Sequence, residues 1–84
     1  MPILEIDAGT LRPVAVEFRD GEMIVRLADG RRIATPLSWY PRLVAASGSD
    51  LHDVELSPMG LHWPALDEDL SIAGMLAGRP ARAA

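Results

Sequence analysis

A chain of 84 residues makes one domain, near the small end of the domain range, and buries only about 60% of the surface it exposes unfolded, so modest stability or help from a partner is expected. The absence of cysteine excludes disulfide staples and thiolate metal sites, and fits a reducing cytoplasm. Twelve acids against eight arginines, with no lysine, give a net charge of −4, which argues against direct nucleic-acid binding because phosphate neutralisation dominates that affinity.

The N-terminus has no basic n-region and no long apolar run, so no signal peptide is read there. No apolar stretch approaches the roughly 20 residues that span a bilayer. A cytoplasmic location with no membrane partner is therefore expected. Residues 1–12 form an N-terminal segment in which Ile3, Leu4 and Ile6 suit a short edge strand. Residues 13–78 read as the single domain, and residues 79–84, with Arg79 and Arg82, as a disordered tail.

The run VAVEFR-DG-EMIVRLA places two alternating segments around Asp20-Gly21. Asp-Gly is the preferred type I′ hairpin loop because both positions need positive φ. A two-residue loop pairs Phe18 with Met23, Val16 with Val25 and Val14 with Leu27, all apolar and on one face. Glu17, Arg19, Glu22 and Arg26 take the other face. In LADGRRIATPL a two-residue Asp29-Gly30 loop would turn Ile33 onto the polar face. A three-residue Ala28-Asp29-Gly30 loop instead pairs Val25 with Ile33 and Met23 with Thr35, so a type I turn with left-handed Gly30 and a G1 bulge is predicted.

Pro36 ends the third strand. Ser38 then suits an N-cap, with Pro41 tolerated in the first turn, Trp39, Leu43 and Ala46 on one face, and Gly48 as the C′ glycine. This predicts a helix over about 38–47 lying on the apolar face of the sheet. Residues 52–56 alternate, with Val54 and Leu56 inward. Ser57-Pro58-Met59-Gly60 is a turn, and Leu61 and Trp63 then point one way and His62 the other. A loop after Pro64 leads to a last helix over about 71–77, stopped by Gly78 and Pro80. The fold class is α+β: an antiparallel meander of three to five strands, one helix packed on a face, and a short C-terminal helix.

Several residues have chemistry to offer. Asp67, Glu68 and Asp69 suit a hard cation by type, but their spacing matches no EF-hand loop, and carboxylates also belong at a helix N-terminus. Ser71 or Asp69 would be the cap. His62 has roles as base, as metal ligand with His52 or the acids, or as a solvent-facing strand residue. There is no G-x-S-x-G elbow and no glycine-rich phosphate loop, and a lone histidine is not a catalytic constellation. No enzyme activity, cofactor or bound metal is expected. Trp39, Tyr40 and Trp63 are core residues by default, or anchors for a partner beside Arg42, since Trp, Tyr and Arg are enriched at binding hot spots. Ile72 and Met75 of the apolar last helix either close the core or meet another subunit.

The stretches LADGRRIATPLSWYPRL and HWPALDEDLSIAGML resemble one bacterial family, the domain of unknown function 2442. Its members share a strand–D-G–strand unit leading to P-L-S-W-[FY]-P-R-L, here Pro36–Leu43. They then carry h-x-W-P-x-L-D-E-D-[IL]-S, here Leu61–Ser71, and a short final helix. The resemblance covers about residues 13–78. It implies a small α+β domain with an antiparallel sheet. It also implies an antitoxin-like or regulatory module, because members often sit beside genes for a small protein thought to act as a toxin. Other members are fused to a helix-turn-helix domain; none follows residue 78 here, so direct DNA regulation is not expected. The recurring Trp39, Pro41, Arg42, Trp63, Pro64, Asp67, Glu68 and Asp69 mark an interface or the fold itself. The expected partner is a small, basic, toxin-like protein met by Tyr40, Arg42, His62, Trp63, Asp67, Glu68 and Asp69. A homodimer and a metal-dependent activity around His62 and the acids are the alternatives.

Overall fold

The computed structural model describes residues 11–78. The strand expected within residues 1–12 and the tail over 79–84 fall essentially outside that range. Two three-stranded antiparallel sheets form, β1(Pro13–Arg19)-β2(Glu22–Leu27)-β3(Arg32–Pro36) and β4(Glu55–Ser57)-β5(Gly60–Trp63)-β6(Glu68–Ser71). Two short helices, α1(Pro41–Val44) and α2(Gly48–His52), lie between them in the chain, and α3(Ile72–Leu76) follows β6. β1 lies beside β4 and α3 packs on β3, so the sheets enclose one core. Met23, Val25 and Leu27 line it from one sheet, Leu61 and Trp63 from the other, and Tyr40, Leu43, Ile72 and Met75 fill between.

The first hairpin forms as its pattern demands. Asp20 (φ 54°) and Gly21 (φ 76°) make the two-residue loop, with Phe18 opposite Met23 and Val16 opposite Val25. The predicted Val14–Leu27 pair does not form. A bulge between Pro13 and Ala15 puts Pro13 opposite Leu27, and Val14 is exposed. A bulge leaves its extra residue unpaired and re-aims it, and alternation alone does not reveal it. The second turn has the predicted three-residue loop: Gly30 adopts φ 94°, its N–H donates to the Leu27 carbonyl, and Val25 faces Ile33.

The helix expected over 38–47 is broken into pieces. Leu37–Trp39 is a 3-10 turn, and Tyr40 leaves helical space at φ −125°, ψ 85° before α1 begins with Pro41. Proline clashes with a preceding residue in the α region, so Pro41 stops the helix before it rather than merely joining its first turn. Ser38 is not the cap. Gly48 starts α2 instead of ending a helix, because Ser47 is extended and its Oγ accepts the Asp50 N–H at 3.2 Å. Ser47 stands immediately before the helical stretch, and its capping bond outweighed the stop signal of the glycine after it.

The second hairpin forms around Pro58-Met59, with Ser57 opposite Gly60 and Leu56 opposite Leu61. Leu61 and Trp63 are buried and His62 is not, as the alternation predicts. Leu56, expected inward, lies on an edge strand and is 42% exposed. The last helix starts where expected: Ser71 is its N-cap, accepting the Gly74 N–H at 2.9 Å, and Ile72 and Met75 are buried. They close this core and are not left for another subunit. Ser71→Ala should cost about 1 kcal/mol, read as a lower urea midpoint with unchanged slope.

Candidate functional site

The two recurring stretches meet in space. Arg42, the second residue of α1, reaches across 25 positions, and its Nη1 donates to the Asp67 carbonyl at 2.7 Å. That carbonyl is presented by an unusual backbone. Pro64–Leu66 forms a 3-10 turn, and Asp67 closes it in the left-handed region at φ 49°, ψ 46°. Aspartate is one of the few residues with a side chain that tolerates this region. The reversal it makes sends Glu68–Ser71 back along β5.

The acids therefore do not start a helix. Asp67 caps a turn, and Glu68 and Asp69 belong to β6, opposite Trp63 and His62. The pairing with β5 buries part of Leu70 beside Leu61, a gain that a helix beginning at Asp67 would forgo. Ser71, four residues after Asp67, is the true cap.

Tyr40 and Trp63 are not surface anchors. Trp63 is fully buried and its Nε1 donates to the Leu51 carbonyl at 2.9 Å, satisfying the end of α2. Trp39 is half-buried, its ring edge-on to Tyr40. His62 meets Asp69, Nδ1 to Oδ1 at 2.7 Å, with Glu55 opposite it on the other neighbouring strand. His52 is elsewhere, with Nδ1 against the Gly48 carbonyl and its ring edge-on to Phe18. Among the described residues no three His, Asp or Glu side chains converge in an arrangement that would hold a metal ion.

Tyr40 is 1% exposed and its hydroxyl has no hydrogen-bond partner. Burial pushes the phenol's pKa above the ordinary 10.0; the Thr35 hydroxyl opposes that shift, and the negative charge of Glu68 adds to it. The Thr35 hydroxyl, also buried, likewise completes no hydrogen bond. The chain has one tyrosine, so tyrosinate absorbance follows Tyr40 alone. Ionisation should be delayed beyond pH 10. The folded state holds this proton more tightly than the unfolded chain, so stability is level below pH 10 and falls as pH climbs towards the folded-state value. Tyr40→Phe should remove that alkaline decline; a tyrosinate transition at the ordinary pH would contradict the burial.

Beside Tyr40 a hollow of about 260 Å³ opens between β6 and α3, lined by Glu68, Asp69, Leu70, Ser71, Gly74 and Met75. On the other flank of β6 a shallower trough is lined by Ser57, Met59, Leu61, Asp69 and Leu70. Sequence reasoning reached the acids here but not the small residues that shape the hollow. Gly74 is the signal available in the sequence. A glycine inside a five-residue helix costs about 1 kcal/mol of helix propensity against alanine, and a Cβ there would stand 2.8 Å from the capping Ser71 Oγ.

Residues 13–81 match the family described as protein of unknown function DUF2442. The chain is also similar to two solved structures. One is a crystal structure of a protein of unknown function from Rhodospirillum rubrum, 33% identical, covering 84% of this chain and 90% of that one, with a TM-score of 0.72. The other is a solution structure of an uncharacterised protein from Chromobacterium violaceum, 28% identical, covering 86% and 70%, with a TM-score of 0.71. No curated protein matches the chain. The match over most of its length, on the stretches that Arg42 and Asp67 tie together, places the chain in the DUF2442 family.

Proposed function

We propose that this chain is a cytoplasmic protein-binding module, antitoxin-like or regulatory in role, whose partner is a small basic protein docking along β6. The observation that carries this reading is the division of charge. Residues 41–78 hold Asp50, Asp53, Glu55, Asp67, Glu68 and Asp69 against the single Arg42, whereas residues 11–40 hold five arginines against four acids. The second sheet and its flanking helices are thus the acidic side of the molecule. Such a surface draws a basic partner by steering, and acts on association rate and partner choice more than on affinity.

The β6 margin adds what charge lacks. It is a sheet edge, with no further strand on it among the described residues. Met59, 73% exposed, stands by the trough on one flank, and Glu68 borders the hollow on the other. Apolar surface ringed by charge at a free edge is the arrangement partner proteins use. Binding rather than catalysis is the role proposed for Arg42 and His62 too: Arg42 holds the turn that displays the acids, and His62 orients Asp69.

The test is a pull-down from the native host with mass spectrometry, repeated with Met59→Asp and with Asp67→Ala/Glu68→Ala. One stoichiometric basic partner, lost or weakened about tenfold or more by both variants while they stay folded, is expected. A clean negative, or capture indifferent to both variants, would overturn the reading. The free edge also favours a second reading, a homodimer formed through β6; light scattering at two concentrations separates the two.

A further inference from the structure

We propose that the β6 edge takes an extended segment of the partner as a fourth strand of the second sheet, bonded main chain to main chain at Asp69 and Ser71. The inference rests on the partner-binding reading for the source of that segment. The way it is held follows from the ladder of β5 and β6.

The phase of that ladder is fixed at its α3 end, where the Ile72 N–H donates to the Met59 carbonyl at 3.0 Å. The register runs on with Ser71 opposite Gly60, Leu70 opposite Leu61, Asp69 opposite His62 and Glu68 opposite Trp63. In an antiparallel pair, opposed residues alternate between those that exchange main-chain bonds and those that exchange none. Ile72, Leu70 and Glu68 therefore bond inward to β5, and Asp69 and Ser71 turn their main-chain groups away from it. On that side β6 has no strand among the described residues, and no loop or turn carbonyl there takes either N–H. Ser71, as the N-cap, gives its own carbonyl to the first turn of α3. Three groups are left for an added strand: the N–H and C=O of Asp69 and the N–H of Ser71.

The surroundings set the side chains that such a strand must carry. Side chains alternate between the two faces of a sheet. A residue that exchanges both bonds with Asp69 lies on the outer face, beside the Asp69 carboxylate. The next residue lies opposite Leu70, where the hollow of about 260 Å³, walled by Leu70 and Met75, gives an apolar side chain room. The occupant is thus an extended segment of alternating basic and apolar residues. A second copy of β6 fits less well, because it would bring the Glu68 and Asp69 of both copies to one edge, and like charges across a strand pair are destabilising. A basic segment reverses the sign of that interaction.

The experiment uses the whole chain and a defined probe, the capped peptide acetyl-Val-Lys-Val-Lys-Val-amide, with backbone amides followed by NMR. In the free chain the Asp69 and Ser71 amides should exchange with solvent faster than those of Glu68 and Leu70. Peptide should shift the first two saturably and slow their exchange, with a dissociation constant on the order of 1 mM. The same peptide N-methylated at both lysines keeps every charge and loses the strand's donors, and should bind about tenfold more weakly or worse. Asp69→Asn removes the charge alone and should weaken binding about threefold. Asp69→Pro also removes the outward N–H, which a sheet edge tolerates, and should weaken it about tenfold or more, read at Ser71 in a chain shown folded by its spectrum. Slow exchange at Asp69 and Ser71 in the free monomer, no saturable shift, equal binding of the methylated peptide, or Asp69→Pro binding as well as Asp69→Asn would each overturn the proposal. So would a dimer of the free chain that Asp69→Pro abolishes, because a second copy would then occupy the edge. The two readings fail separately. Peptide addition without a captured partner leaves the edge and sinks the module's proposed role. A captured partner that Asp69→Pro retains in full, with no peptide addition, does the reverse.

Discussion

Trp63→Ala should remove a large share of the domain's stability. Trp63 is the largest fully buried side chain, and its removal empties the centre of the space between the two sheets. Truncating a buried aromatic typically costs about 3–5 kcal/mol, and a domain of this size has of the order of 4–13 kcal/mol in total. The loss is compounded because the Leu51 carbonyl at the end of α2 would lose the indole N–H that satisfies it. Trp63→Phe separates the two contributions. It keeps much of the apolar volume and forfeits the hydrogen bond, so about 1–3 kcal/mol is expected. Urea titration followed by far-ultraviolet circular dichroism reads both variants. A loss below about 1 kcal/mol for Trp63→Ala would contradict the central position of this residue.

Gly60→Ala is the second large effect, and it comes from backbone rather than volume. A Cβ at Gly60 would stand 2.2 Å from the Leu70 carbonyl oxygen and 3.1 Å from the Leu70 carbonyl carbon, on the neighbouring strand. Both atoms are main chain, so no side chain can swing aside. β6 would have to move off β5, disturbing the pairs Gly60–Ser71 and Leu61–Leu70 and the N-cap of α3 with them. A cost of about 3 kcal/mol is expected, at the upper end for overpacking. Amide hydrogen exchange gives the sharper reading. Protection should fall over β5, β6 and α3 and persist in β2, which pairs on both sides. Uniform loss, or none, would mean that the close approach of the two strands is not what Gly60 serves.

Gly60 also shows where local reading stops. In sequence it is the last residue of a plausible turn, and a turn glycine is normally explained by positive φ. Here it lies in a strand, and the constraint is a carbonyl ten positions away. Tyr40 and Trp63 follow the same logic. Each sits beside a proline near an element end, a place as suitable for a surface anchor as for the core, and only the packing of two sheets and α1 around them decides in favour of burial. Asp67 to Asp69 carry the composition of a helix start, yet the left-handed turn at Asp67 and the pairing of Glu68–Ser71 with β5 make them an edge strand.

What the sequence determined alone are the features with a short physical range. The Asp20-Gly21 loop needs positive φ at two adjacent positions, and one register keeps Met23 and Val25 on the apolar face with Val16, Phe18 and Ile33. The three-residue turn at Gly30 follows from the same test, since the shorter loop would turn Ile33 to solvent. The α+β class, the second hairpin and the Ser71 cap are legible for like reasons, and the recurring stretches identify the family. The tertiary structure decided whatever depends on distant partners: the bulge that exposes Val14, the bond from Arg42 to Asp67, and the hollow between β6 and α3 beside Glu68. Hairpin register is a contest between neighbours a few residues apart. The candidate site depends on residues from Tyr40 to Met75, whose approach is set by how two sheets close over one core.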